Sequence, residues 1–390
     1  MKSRKLSRTR RRATIFTAAA ASVVAGAALL PNWSAGASTT AEPKVDAKTK
    51  ATFQRLADAV FTDRTNALVD KPGKGKKPLI DGFSGDVAVS SGAARTEDRA
   101  LDQLGDRKDG LARLGEKYSA ASTSVTLDRT SVRGRKAVVA VTETTTLTYK
   151  KVRGDEPRTT GFQAHHQLTF KADKRGNWRL TDIRETDDGY LAVNQTAKPK
   201  VAATTVDNTM PSSPRAAITR PAPSNPKNFT ASGYDYKAMA AYAEKYWRNY
   251  NPDYPDFNGQ GAGGDCTNFV SQSLKAGGWK HVPGYVYDYT RWFGNADIQS
   301  HSFVGVNEWS WFALNSKRVT SLANVYQMDV GDVLQIDFDK DGSKDHTMIV
   351  TYRSPQGVPY LTYHSTNTYR RSVASIIASY PNAAYYAYRT

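Results

Sequence analysis

Gly263-Gly264-Asp265-Cys266-Thr267-Asn268-Phe269-Val270-Ser271-Gln272-Ser273-Leu274, closed by Gly277-Gly278, is the stretch from which the rest of the chain can be read. Phe269, Val270 and Leu274 recur at helical spacing, Asp265 is a good N-cap, and glycines bound the element on both sides. Cys266 then falls in the first turn of a helix, where the aligned backbone N–H groups favour an anion. The preceding residues 251–264 are rich in Pro, Gly, Asp and Asn and read as a loop. Before them, residues 236–250 form an amphipathic helix with Met239, Ala243, Tyr246, Trp247 and Tyr250 available to one face. After the cysteine helix the period changes to two. Residues 331–336 and 346–351 read as paired strands around an Asp341-Gly342 turn, and 358–364 as a third strand. Helices followed by an antiparallel sheet predict an α+β domain over 232–390.

Cys266 is the only cysteine among 390 residues, which excludes an intrachain disulfide and a thiolate zinc cluster. A free thiol has a pKa of about 8.5 and is mostly protonated at neutral pH, whereas a helix start and a nearby imidazolium favour the thiolate. A lone cysteine is also an ordinary small core residue. Its place at a glycine-flanked helix start, in a chain that carries an export signal, turns the reading toward a nucleophile. The base must then come from His281, His301, His346 or His364. His281 and His301 lie in loop-like, aromatic stretches and read as surface or cleft residues. His346 begins one strand and His364 ends the next, so the pattern predicts that they lie side by side on the sheet. Cysteine on a helix, histidine on a later sheet and a polar orienter on the following strand is the papain arrangement of parts.

Asp265-Cys266-Thr267-Asn268-Phe269-Val270-Ser271-Gln272, Gly331-Asp332-Val333, Asp345-His346 and His364-Ser365-Thr366-Asn367 resemble the putative amidase domain family, bacterial and mostly exported proteins related to papain-like cell-wall peptidases. The resemblance covers about the last 155 residues. It implies a papain-like α+β fold and hydrolysis of amide bonds through a thioester. On that basis Cys266 matches the nucleophile and His346 the base. His364 is the expected orienter of the imidazole, with Asn367 as the alternative. Gln260, six residues before Cys266, has the spacing of an oxyanion-hole glutamine, and the Cys266 backbone N–H would be its companion. Thr267 follows the nucleophile where plant and lysosomal enzymes carry Trp after it, which speaks against a general endoprotease.

A second motif overlaps the histidine. Asp337, Asp339, Asp341 and Asp345 stand at positions 1, 3, 5 and 9 of a calcium-type loop, with Gly342 for the turn. Met348 occupies position 12, where such loops place a bidentate Glu. A structural calcium ion or a charged hairpin tip both fit, and the chemistry itself requires no cofactor. Most of the aromatics in this region are core residues, and a few are available to line a groove for peptide or glycan.

Residues 1–37 hold seven cations and no acid, then an uncharged run, Pro31 and Ala35-Gly36-Ala37. That is the order of a secretory signal, cleaved after Ala37, rather than of a stable membrane anchor. Arg10-Arg11-Arg12 leaves both general and twin-arginine export open. Ten of the 17 net positive charges fall on the remainder, enough to permit attraction to an anionic polymer. Residues 38–193 read as an α+β domain: helices over 51–68 and 98–118, then strands over 124–127, 136–151, 159–172 and 177–185. The element order resembles the cone-shaped fold of nuclear-transport-factor-like domains. His165 and His166 point to opposite faces of a strand and cannot readily share a metal. Residues 194–231 read as a solvated, Pro-rich linker, six of the chain's 17 prolines falling between 194 and 229. The expected function is therefore a secreted, cell-wall-associated cysteine amidase or peptidase acting on amide or peptide substrates, peptidoglycan among them, with nucleic acid disfavoured. The alternative is a non-catalytic wall- or glycan-binding protein on an inactive papain-like domain.

Overall fold

The computed structural model describes residues 46–70, 87–199, 201, 209–259 and 264–390. The signal segment and Gln260 lie outside the described residues. α1 (Ala47–Asn66) starts where the Asp46 carboxylate accepts the Thr49 N–H at 2.7 Å. It buries Phe53, Leu56, Ala57, Val60 and Phe61, one stripe at helical spacing. β1 (Val87–Val89) leads into α2 (Ser91–Arg113), capped by Ser90 and burying Leu104 and Leu111. Four strands follow: β2 (Tyr118–Arg133), β3 (Lys136–Tyr149), β4 (Thr159–Ala172) and β5 (Trp178–Glu185). β2 starts six residues before the expected strand and ends six residues after it. Its outward-facing Ser, Thr and Arg residues hide the alternation from a hydropathy reading. On β3, Ala137, Val139 and Val141 face α1, and further along Leu147 and Tyr149 turn to a different cluster.

The carboxy-terminal half comprises α3 (Tyr236–Tyr246), α4 (Cys266–Ala276), α5 (His301–Val304), α6 (Val306–Asn315), β6 (Thr320–Leu322), β7 (Val333–Asp337), β8 (His346–Arg353), β9 (Pro359–Tyr363), β10 (Asn367–Ser372), α7 (Val373–Ser379) and β11 (Ala384–Arg389). The fold is α+β, as expected. Among the described residues eleven strands form one sheet, antiparallel throughout except where β1 pairs parallel with β5. Central strands here are buried on both faces. On β8, Met348 and Val350 join the cluster shared with α2 and α7, while Ile349 packs under α3, α4 and α6 with Phe269 and Val270.

β4 belongs to both halves. One of its edges pairs with β3 along nearly its whole length. The other is divided: residues 166–172 pair with β5, and residues 161–163 pair with Asn367, Thr368 and Tyr369 of β10. On its β3 side Gly161 lies close to the neighbouring backbone, where a Cβ would meet the Thr145 carbonyl oxygen at 3.3 Å. A single apolar cluster accordingly runs from Leu104, Leu111 and Phe162 to Met348, Leu361 and Ile376.

In the described part of the Pro-rich segment most side chains are exposed, while its backbone is hydrogen-bonded to the carboxy-terminal half. Ala216 N donates to the Tyr385 carbonyl at 2.7 Å, Ala217 N to the Ala323 carbonyl at 2.8 Å, and Val325 N to the Ala217 carbonyl at 2.9 Å. Lys227 is buried, its ammonium 2.6 Å from Asp332 Oδ1, and desolvation draws its pKa down to about 8. The prolines leave enough backbone N–H groups between them for the extended chain to follow the carboxy-terminal half.

Candidate active site

α4 begins at Cys266 because the chain turns sharply just before it. Gly264 has φ +91°, and a Cβ there would lie 2.2 Å from Ser365 Oγ and 3.2 Å from Asp188 Cβ. Asp265 stands at the N-cap position, yet its carboxylate does not cap the helix. Its Oδ1 accepts from Asn268 Nδ2 at 2.8 Å and from Phe257 N at 3.3 Å, while Oδ2 lies 2.6 Å from His364 Nδ1. A fully enclosed carboxylate gains most from a short bond to an imidazole, which outcompetes the helix N–H groups.

Cys266 is 1% exposed, with Sγ 3.7 Å from Thr267 Oγ1. The Thr347 backbone N–H is also directed at the sulfur. Burial pushes the thiol pKa up, and the Thr347 N–H and the Thr267 hydroxyl offset this only in part. The Thr267 and Thr347 hydroxyls are 2.9 Å apart and fasten the helix start to β8. Thr347 directly follows His346, so the sulfur lies against the backbone next to the expected base, while strand alternation turns the His346 ring toward Tyr190 and Tyr363.

His346 is the first residue of β8 and is equally buried. Its ring stacks on Tyr190, with centroids 4.6 Å apart and planes at 16°, and meets Tyr363 edge-on at 5.2 Å. Among the described residues its Nε2 has no hydrogen-bond partner. Burial first, and the Arg371 charge second, bring its pKa down to about 3, so the imidazole is neutral at physiological pH.

The two expected orienters are placed elsewhere. His364 Nδ1 faces Asp265, its Nε2 donates to the Tyr246 carbonyl at 2.8 Å, and its ring lies between Tyr250 and Phe269, 3.9 Å from each. Both nitrogens are thus engaged away from His346. The cause is strand alternation: Tyr363 turns toward His346, so the next residue points to the other face. Asn367 Oδ1 accepts from the Tyr250 hydroxyl at 2.7 Å. The Asp265–His364 pair and Tyr190 were not anticipated; the adjacency of Asp265 to Cys266 was visible, but only as a capping signal.

In the acidic loop, one carboxylate oxygen each of Asp337, Asp339 and Asp345 lie within 4.8 Å of one another. Asp341 is not in that group; its Oδ1 accepts the Ser343 N–H at 2.7 Å. Asp337 accepts the backbone N–H groups of Lys340 and Gly342, and Asp345 that of Phe338. Burial, reinforced by the neighbouring carboxylates, raises the Asp345 pKa to about 7. Met348, at the position of the twelfth ligand, is fully buried in the sheet core.

A cysteine at a helix start joined to a strand that opens with histidine is now in place. Residues 233–388 match the family model described as Putative amidase domain. The chain is 32% identical over 142 residues to the uncharacterized protein YhbB of Bacillus subtilis, covering 35% of this chain and 44% of that protein. It is 32% identical over 138 residues to the uncharacterized protein YjcM of the same organism, covering 35% of this chain and 32% of that protein. The chain thus spans less than half the length of the curated relatives it matches. Among solved structures, the intermembrane space region of chloroplast protein ARC6 aligns at 18% identity and TM-score 0.24, covering 37% of this chain and 98% of that one. A conserved protein from Planctomyces limnophilus aligns at 12% identity and TM-score 0.19, covering 36% and 94%. Neither likeness extends the amidase domain match to a papain-like fold.

Proposed function

We propose that the protein is an exported cysteine amidase whose amidase domain is papain-like and hydrolyses amide bonds, those of cell-wall peptides foremost. Cys266 is the nucleophile and His346 the base. As the sulfur attacks the amide carbon, His346 takes the thiol proton. The C–N bond of the tetrahedral intermediate then breaks, and the imidazolium gives its proton to the leaving amine. Water, deprotonated by the same imidazole, cleaves the thioester, releasing the acid and restoring the thiol. The Cys266 backbone N–H, one of the orphan donors of a helix start, is available for the oxyanion. Gln260 is retained as its companion in this reading.

The observation that carries the reading is the approach of the Thr347 N–H to Cys266 Sγ, which joins the helix start to the strand opened by His346. Burial raises the thiol and lowers the imidazole, so both groups are neutral at rest and do not form an ion pair. The second reading, a non-catalytic wall-binding protein, draws on the burial of both groups. Mass spectrometry of wall peptides incubated with the mature protein decides between the two. New carboxyl termini that vanish with Cys266→Ala, a loss of at least about a thousandfold in rate, support the amidase. Intact peptides with retained wall binding would leave the second reading standing.

A further inference from the structure

An imidazole that moves protons must be held in one orientation, and a misplacement of about 1 Å can cost about a hundredfold in rate. The usual means is a hydrogen bond to the far nitrogen, yet His346 Nε2 has none among the described residues. Rings hold it instead. Tyr190 lies flat against it, and Tyr363 closes the side. Both tyrosine hydroxyls accept from one nitrogen of Arg371, Nη1, at 3.1 and 3.2 Å. Arg371 is itself fixed: its Nε donates to Ser375 Oγ at 3.0 Å and its Nη2 to the Ser375 carbonyl at 3.1 Å. Tyr190 is fully buried, and Thr366 Oγ1 donates to its carbonyl oxygen at 2.6 Å. Four residues on, Asn194 is anchored to Glu143 at 2.7 Å, and Arg107 donates to the Gln195 carbonyl at 2.8 Å.

We infer that Tyr190, which lies outside the amidase domain, is a positioning residue for the His346 imidazole, its ring fixing the orientation that a hydrogen-bonded orienter would otherwise set. Arg371 ties it to Tyr363 across the histidine. The inference rests on the reading of Cys266 and His346 as nucleophile and base, and it makes the amino-terminal half a structural part of the catalytic centre.

The test uses the full mature chain and the rate at which iodoacetamide alkylates Cys266, followed by intact mass at one neutral pH. Tyr190→Leu keeps apolar volume but loses the aromatic face, and should slow alkylation at least about tenfold. Tyr190→Phe restores the face and should return the rate to within about threefold of the wild type. The ring protons of His346 should resonate upfield in the wild type, shielded by Tyr190, and lose that shift in Tyr190→Leu. A folded Tyr190→Leu that reacts as fast as the wild type or faster, while His346→Ala is slowed, overturns the positioning role alone. An unslowed His346→Ala overturns the cysteine–histidine reading beneath it. Should Tyr190→Leu not fold, the wild-type spectrum decides: ring protons at ordinary positions overturn the inference, and shielded ones uphold it.

Discussion

Two buried imidazoles sit in opposite halves of the molecule and are held by different means. In the amino-terminal half, His166 stacks on Phe61 at 4.2 Å and its Nε2 lies 3.0 Å from Glu143, which also accepts from Thr145 and Asn194. Next to them Arg64 grips Glu97 through two bonds of 2.8 Å. At the junction of α4 and β8, His346 has the ring stack without a carboxylate. His364, a few residues away in the fold, follows the His166 pattern, with Asp265 as its partner. A carboxylate locks an imidazole as a structural hydrogen-bonding part. An imidazole held by rings alone keeps a ring nitrogen free of protein partners, as His346 Nε2 is among the described residues. The contrast separates the histidines by role better than their exposure does, since all three are 1% exposed.

The contrast can be broken at its strongest point first. Asp265→Ala strips a buried partner from His364 and from Asn268, and should lower unfolding free energy by about 3–5 kcal/mol in urea titrations. Because Asp265 also sets the start of α4, alkylation of Cys266 should change with it. His166→Phe fills the space of the imidazole but leaves Glu143 one donor short, and should cost about 1–3 kcal/mol. Alkylation of Cys266 should stay within about twofold of the wild type there. A large change would mean that the two regions act as one. A third prediction concerns pH. His346 is depressed from 6.5 to about 3, so its contribution is complete above 6.5 and is lost as pH falls toward 3. Asp345 is raised from 3.8 to about 7 and works the other way, its contribution present below 3.8 and lost as pH rises toward 7. Over the overlapping window the two oppose each other. His346→Phe should remove a slope of at most about 1.4 kcal/mol per pH unit, leaving a chain that gains stability on acidification; Asp345→Asn should do the reverse. Urea midpoints across that range check both signs.

Much of this architecture was legible from spacing alone. β4 occupies Thr159–Ala172 as expected, α4 starts at Cys266, and β8 starts at His346, because alternation, capping glycines and an Asp-Gly turn are local signals. The pairing of Asn367, Thr368 and Tyr369 with β4 joins residues about two hundred positions apart and leaves no local trace. Ala384–Arg389, rich in tyrosine, reads only as core aromatics, and its strand character comes from pairing with β6 and β7. The candidate site divides the same way. Cys266 and His346 announce themselves through helix and strand starts. Tyr190 follows Asp187-Asp188-Gly189, a sequence that reads as the end of a domain, and its role comes from a contact made across the whole fold. His364 was misplaced by one residue of alternation, the same rule that correctly separated His165 from His166.

The divided edge of β4 bears on how such a protein could be cut or recombined. A fragment beginning near residue 232 would carry β10 without its neighbour, leaving a row of backbone donors and acceptors open to solvent. Raw edges of this kind recruit strands from other copies and favour aggregation. Grafting the carboxy-terminal module onto a new host would therefore require a replacement strand to cover that seam, and recombination that moved the module without one would be selected against.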